Sequence, residues 1–105
     1  MANEELRPIA TKVIFEDDEL RVWDQHIASG ETLGRHRHDH DYVIVNVRGE
    51  GPIQVRFYEG TGGALGDHLE LVPKPGEAIA VPAGHLETAE NQGEPYRAIL
   101  VEFKR

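Results

Sequence analysis

Apolar residues occur in short runs, and most of these runs alternate with polar positions. "KVIF" (12–15) is stopped by "EDDE", "LRVWDQHIA" (20–28) ends at "SGE", and "YVIVNV" (42–47) is a β-branched run closed by "RGEGP". "IQVRFY" (53–58), "HLELV" (68–72), "EAIAV" (77–81) and "YRAILVEF" (96–103) follow, each bounded by glycine, proline or acidic residues. No window of about 11 residues keeps the 3.6-residue apolar period of a helix. Short strands at even spacing, divided by turn residues, predict an all-β sandwich or barrel.

The chain has 105 residues, enough for one domain with a workable core. The expected unit is a single domain over 1–105, with an extension at 1–10 and a core over about 12–104. "ANEEL" (2–6) reads as a short helical turn or a frayed end, and "GTGGALG" (60–66) as a mobile loop. Cysteine is absent, which excludes disulfides, thiolate zinc sites, iron–sulfur clusters and a cysteine nucleophile. A net charge of −8, with basic residues scattered, argues against a nucleic-acid partner. No basic-then-apolar leader opens the chain and no run approaches the roughly 18–20 apolar residues of a membrane span. The expectation is therefore a cytoplasmic protein without a membrane partner.

Candidate chemistry is concentrated at "GRHRHDHDY" (34–42), where three of the six histidines stand at alternate positions. On a strand, residues two apart share a face with Cα atoms roughly 6.5–7 Å apart. Two imidazoles so placed converge on one ion at a metal–nitrogen distance of about 2.0–2.1 Å. His36 and His38 meet this condition, as do His38 and His40, while Arg35 and Arg37 point to the other face. A solvated, histidine-rich edge is the competing reading of the same spacing.

The surrounding residues form two blocks. In "GETLGRHRHDHDYVIVNVRG" (30–49), five residues separate Gly30 from His36-x-His38, three separate His38 from Tyr42, and six separate Tyr42 from Gly49. In "GEAIAVPAGHLETAEN" (76–91), Gly76 is followed after five residues by Pro82-x-Gly84, and then by Asn91. This pair of blocks resembles the two signature motifs of the cupin superfamily, over about residues 20 to 105. The resemblance implies a single-domain double-stranded β-helix, a jelly-roll-like barrel with a pocket inside. His36 and His38 match the histidines of the first motif, and Gly30, Gly49, Gly76, Pro82, Gly84 and Asn91 match the turn framework. Two positions depart from the pattern: Tyr42 stands where the family usually has a glutamate ligand, and Glu87 where it has a histidine. The expected metal ligands are thus His36, His38 and Glu87. Two histidines and one carboxylate suit Fe(II) with open positions, and Mn, Ni or Zn equally fit that donor set.

Tyr42 reads either as a weak fourth ligand or proton donor, or as a core tyrosine satisfied at its hydroxyl. His85 reads as a residue of the pocket rim, or as a third histidine ligand if the loop after Gly84 is reset; Tyr42 and His85 are the candidate acid–base pair. His40 is expected beside the ligands or exposed, and Asp41 either orients an imidazole or sits solvated in a turn. His26 and His68 are expected at the surface, and Trp23 in packing. No phosphate-binding Gly-rich loop and no Gly-x-Ser-x-Gly nucleophile turn is present, Ser29 being the only serine.

Within the superfamily, "HRHDHDYVIV" and "GEPYRAILVEFKR" look similar to small stand-alone cupins associated with β-alanine degradation. The resemblance implies a divalent-metal enzyme acting on a small anionic metabolite, of dioxygenase or isomerase type. The alternatives are a non-catalytic cupin that binds or senses a small molecule, and a structural protein with a degenerate site. Edge strands in need of cover make a homodimer the expected assembly, with "KVIF" a candidate for exchange between subunits.

Overall fold

A computed structural model describes residues 6–105, and the segment read as a helical turn or frayed end falls almost wholly outside them. Nine strands form: β1 (Lys12–Glu16), β2 (Leu20–Ile27), β3 (Thr32–Arg37), β4 (Tyr42–Arg48), β5 (Ile53–Phe57), β6 (His68–Leu71), β7 (Ala78–Val81), β8 (Leu86–Asn91) and β9 (Tyr96–Phe103). They make two antiparallel sheets, of order β1-β2-β9-β4-β7 and β3-β8-β5-β6. From β2 onward the chain crosses from one sheet to the other at almost every turn, and this winding is the double-stranded β-helix expected from the motifs. "KVIF" pairs with β2 of its own chain. Among the described residues no helix is long and apolar enough to cross a membrane.

Alternation builds the core. Along β9, Tyr96, Ala98, Leu100 and Glu102 are buried, and the residues between them face outward. Across β9, Leu100 pairs with Trp23 of β2 and Ile44 of β4, so one layer of large side chains spans the sheet interior. Ile9 and Ala10 are only 7% and 5% exposed and join this core, so the packed unit begins before Lys12 and the expected extension is partly structural.

The motif glycines hold the corners. Gly49 has φ 91°, and a Cβ there would stand 2.6 Å from the Pro95 carbonyl oxygen, so no side chain fits the β4–β5 turn. Asn91 is fully buried: its amide donates to the carbonyls of Ile27 (3.0 Å) and Glu94 (2.7 Å), and its oxygen accepts from the Gly93 amide (3.0 Å). The motif asparagine therefore staples the end of β8 to the end of β2. Trp23 packs as expected, with its indole N–H donating to the buried Glu102 carboxylate, which also accepts from Arg21 Nε at 2.8 Å.

Candidate metal centre

His36 reaches the interior because β3 is irregular. Leu33 pairs with Ala89 and His36 with Glu87, so one extra residue is accommodated between them. Three positions apart on a regular strand, Leu33 and His36 would face opposite ways; the bulge lets both line the same cavity. His38 lies just past β3, yet its amide donates to the His85 carbonyl (3.0 Å) and its carbonyl accepts from the Gly84 amide (2.8 Å). These bonds prolong the extended conformation, so the alternation holds through His38. Glu87 enters from β8, opposite His36.

Burial and distance then make a site. His36 is 1% exposed, His38 2% and Glu87 9%. His36 Nε2 lies 3.4 Å and His38 Nε2 3.1 Å from Glu87 Oε1, and one ligand atom from each of the three residues lies within 4.8 Å of the others. Ligand atoms about 2.0–2.2 Å from a shared ion in tetrahedral array stand roughly 3.3–3.6 Å apart. The observed separations are close to that edge length.

Hydrogen bonding supports the same fit. His36 Nδ1 faces the Gly34 carbonyl at 2.8 Å, and since a carbonyl only accepts, Nδ1 carries the hydrogen. In the neutral ring, Nε2 is then a lone pair aimed at a carboxylate oxygen. Two acceptors at 3.4 Å require a proton or a cation between them. The bulge thus does two things: it turns His36 inward and supplies the carbonyl that fixes its tautomer. Burial alone would raise the Glu87 carboxyl; where a proton and not a metal ion fills the gap, the hydrogen bonds that His36 and His38 then donate, with their charge, outweigh burial and hold the group at about 2.

The remaining candidates divide. Tyr42 stacks on His38 with ring centroids 4.3 Å apart and 15° between planes, so it supports a ligand imidazole from the side. Burial first, then the negative charge of Glu87 and Glu102, pushes its phenol far above the ordinary value, so Tyr42 keeps its proton. His85 lines the cavity with its ring edge-on to Phe57, at 4.9 Å, and lies outside the three-residue ligand cluster. His40 does not line the cavity. Asp41 accepts from the Ala83 amide at 2.8 Å, which ties the start of β4 to the loop carrying His85 and leaves the orienting of His36 to Gly34. His26 is exposed and 3.1 Å from Asp24, and His68 is exposed.

The cavity occupies about 410 Å³ between the sheets. Its wall is mainly aliphatic, and no lysine, arginine or aspartate lines it. The expected anionic metabolite thus meets no cationic side chain among the lining residues. One edge of the cavity went unread in the sequence. "GTGGALG", expected as a mobile loop, forms a short 3₁₀ turn at Gly63–Leu65, and Gly62, Ala64 and Leu65 border the cavity. Thr61 anchors it: its hydroxyl donates to the Tyr58 carbonyl (2.8 Å) and accepts from the Leu86 amide (2.9 Å). A threonine beside a glycine run carries no sequence signal for this role.

No protein-family model and no curated protein matches the sequence. Solved structures do. A cupin domain from Bordetella pertussis Tohama I is 22% identical, with 97% of this chain and 100% of that one covered at a TM-score of 0.78. A cupin superfamily protein from Desulfitobacterium hafniense DCB-2 is 15% identical, over 95% and 84% of the two chains, at 0.61. The DMSP lyase DddQ from Ruegeria pomeroyi DSS-3 is 17% identical at 0.60, covering 83% of this chain but only 39% of that protein. With two facing antiparallel sheets, glycine corners at the motif positions and these structural likenesses, the chain has the fold of a small cupin.

Proposed function

We propose that the protein is a metal-dependent enzyme acting on a small molecule inside the barrel, with His36, His38 and Glu87 holding a divalent ion. The observation that carries this reading is the convergence of three buried ligand atoms at the wall of a cavity between the sheets, with a lone pair facing a carboxylate. Fe, Mn, Ni and Zn all suit the donor set. An ion there would act as a Lewis acid toward a substrate oxygen. The chain's own residues then orient the substrate: Tyr42 presses on His38 and offers its hydroxyl as a hydrogen-bond donor, His85 faces the cavity as the proton-transfer group, and the aliphatic wall holds the substrate body. The DMSP lyase among the structural neighbours supports an enzymatic reading of this fold.

Elemental analysis of chelator-free protein tests the centre. Near-stoichiometric metal, lost in His36→Ala/His38→Ala, is the expected result; a wild type that neither contains nor takes up divalent ions refutes it. A second reading, a non-catalytic binding cupin, draws on the aliphatic wall and on the position of His85 outside the ligand cluster. Tight ligand binding without turnover, unchanged in Tyr42→Phe and His85→Gln, would favour it.

The assembly belongs to the same proposal: a cytoplasmic homodimer formed through the outer face of the five-stranded sheet. That face carries Val22, Val43, Val45, Ile99, Val101 and Phe103, with the Asp24–His26–Arg97 group at one end, whereas the outer face of the other sheet carries Thr32, Gln54, Arg56, Thr88 and Glu90. Five strands about 4.8 Å apart, up to eight residues long at about 3.3 Å each, outline roughly 600 Å² of sheet. Exposed Phe15 of β1 lies on this face beside Val22, and the face compares with the about 800 Å² per partner of a standard interface. A second copy offers the same apolar face, so a two-fold pairing is self-complementary.

A further inference from the structure

The cavity wall narrows the substrate. We infer that the site takes a molecule with a mainly hydrocarbon body and a single oxygen-donor head, carrying no more than one negative charge. This rests on the metal-dependent reading of His36, His38 and Glu87.

The first ground is charge. Among the described residues, no lysine or arginine lines the cavity, and Glu87 is the only carboxylate that does. A divalent ion less the Glu87 charge leaves one positive charge to be met, which a lone carboxylate or an enolate oxygen meets. A second anionic group would lie against aliphatic side chains without a counter-charge, at a desolvation cost that excludes it.

The second ground is how the polar groups of the wall are already used. The Tyr96 hydroxyl donates to the buried Asn46 side chain at 2.6 Å, and the Gln25 amide points to the Ile9 carbonyl at 3.4 Å. Beside the ligand cluster, Tyr42 and His85 make no side-chain hydrogen bond among the described residues and are placed to receive a substrate polar atom. Ile27, Ile53, Val55, Leu69, Leu71 and Leu100 supply much of the remaining wall. A polyhydroxylated body would leave its hydroxyls unpaired against these residues.

The rim provides the third ground. Leu65 and Ile79 are 47% and 48% exposed and both border the cavity, one from the 3₁₀ turn and the other from β7. Large aliphatic side chains at an open mouth continue the apolar wall outward. The volume, about 410 Å³, lies at the low end of small-molecule sites, about 300–1,000 Å³.

Isothermal calorimetry on zinc-loaded protein with butanoate, hexanoate and octanoate tests the class, with octanedioate as the doubly charged control. Affinity is expected to rise about four-fold per methylene, equivalent to about 0.8 kcal/mol. Octanedioate is expected to bind more than about a hundred-fold more weakly than octanoate. In Leu69→Arg, which places a cation in the half-buried wall, the preference should shift toward octanedioate. Zinc content is measured first. A wild type that takes up no zinc overturns the metal reading alone, and the series is then run with 2-butanone, 2-hexanone and 2-octanone on metal-free protein, where the same slope upholds the apolar site. A flat series, or octanedioate binding as tightly as octanoate, overturns the substrate class whatever the zinc content.

Discussion

Replacing Glu87 by Gln keeps the shape of the side chain and removes its charge, so it isolates what the carboxylate does. In the metal-free protein the carboxyl is held at about 2 instead of its ordinary 4.5, because hydrogen bonds from His36 and His38 outweigh the cost of burial. At 1.36 kcal/mol per pH unit that gap corresponds to about 3 kcal/mol favouring the ionised form in the fold. The sign follows from the depressed value: the stabilisation is complete above about pH 4.5 and is lost as pH falls toward about 2. Glu87→Gln without metal should therefore unfold about 3 kcal/mol more easily than wild type near pH 5, where a free imidazole carries its second proton, and the difference should vanish near pH 2. Urea titration of chelated protein across that range measures it. Zinc adds the opposite arm: at about a hundred times its Kd it should stabilise wild type by about 2.7 kcal/mol and leave the variant nearly unmoved. A variant as stable as wild type near pH 5, and equally stabilised by zinc, would refute the placement of Glu87 between the two histidines.

Three further outcomes follow from other parts of the molecule. Asn91→Ala should cost about 2–4 kcal/mol in urea unfolding, because the Ile27 and Glu94 carbonyls and the Gly93 amide lose their partner together; a loss under about 0.5 kcal/mol would refute the staple. The Asp24 carboxyl is held below its ordinary range, chiefly by the Arg97 guanidinium at 3.0 Å and also by His26. Its contribution is present above that range and lost on acidification, so Asp24→Asn should flatten the acid limb of a melting-temperature profile, and an unchanged limb would count against the pair. Val43→Lys/Val101→Lys places two charges on the apolar sheet face; light scattering should show a dimer become a monomer, and a wild type monomeric at every concentration would refute the pairing.

The strand segments were legible because alternation is local: "IQVRFY" and "YRAILVEF" each show in their own residues which side is buried. β8 was harder to read. "LETAEN" has a glutamate and an asparagine at inward positions, so its alternation reads as polar until the use of those two residues is known. Glu87 is buried against His36 and His38 and Asn91 at a chain corner, and neither set of partners is visible within six residues. Ile9 and Ala10 likewise looked peripheral, since what covers them comes from distant strands.

Spacing alone placed His36 and His38 on one face, and the two motif blocks pointed to Glu87 as their partner. The sequence could not show that β3 carries a bulge at Gly34 and Arg35, without which Leu33 and His36 could not both face inward. Nor could it show that the Gly34 carbonyl fixes the His36 tautomer, or that the cavity wall contains no cation. Alternation and motif spacing are properties of neighbouring residues, set by backbone stereochemistry and carried by the sequence itself. Register, tautomer and the composition of the wall depend on residues about fifty positions apart, such as His36 and Glu87, and only the paired sheets bring those together.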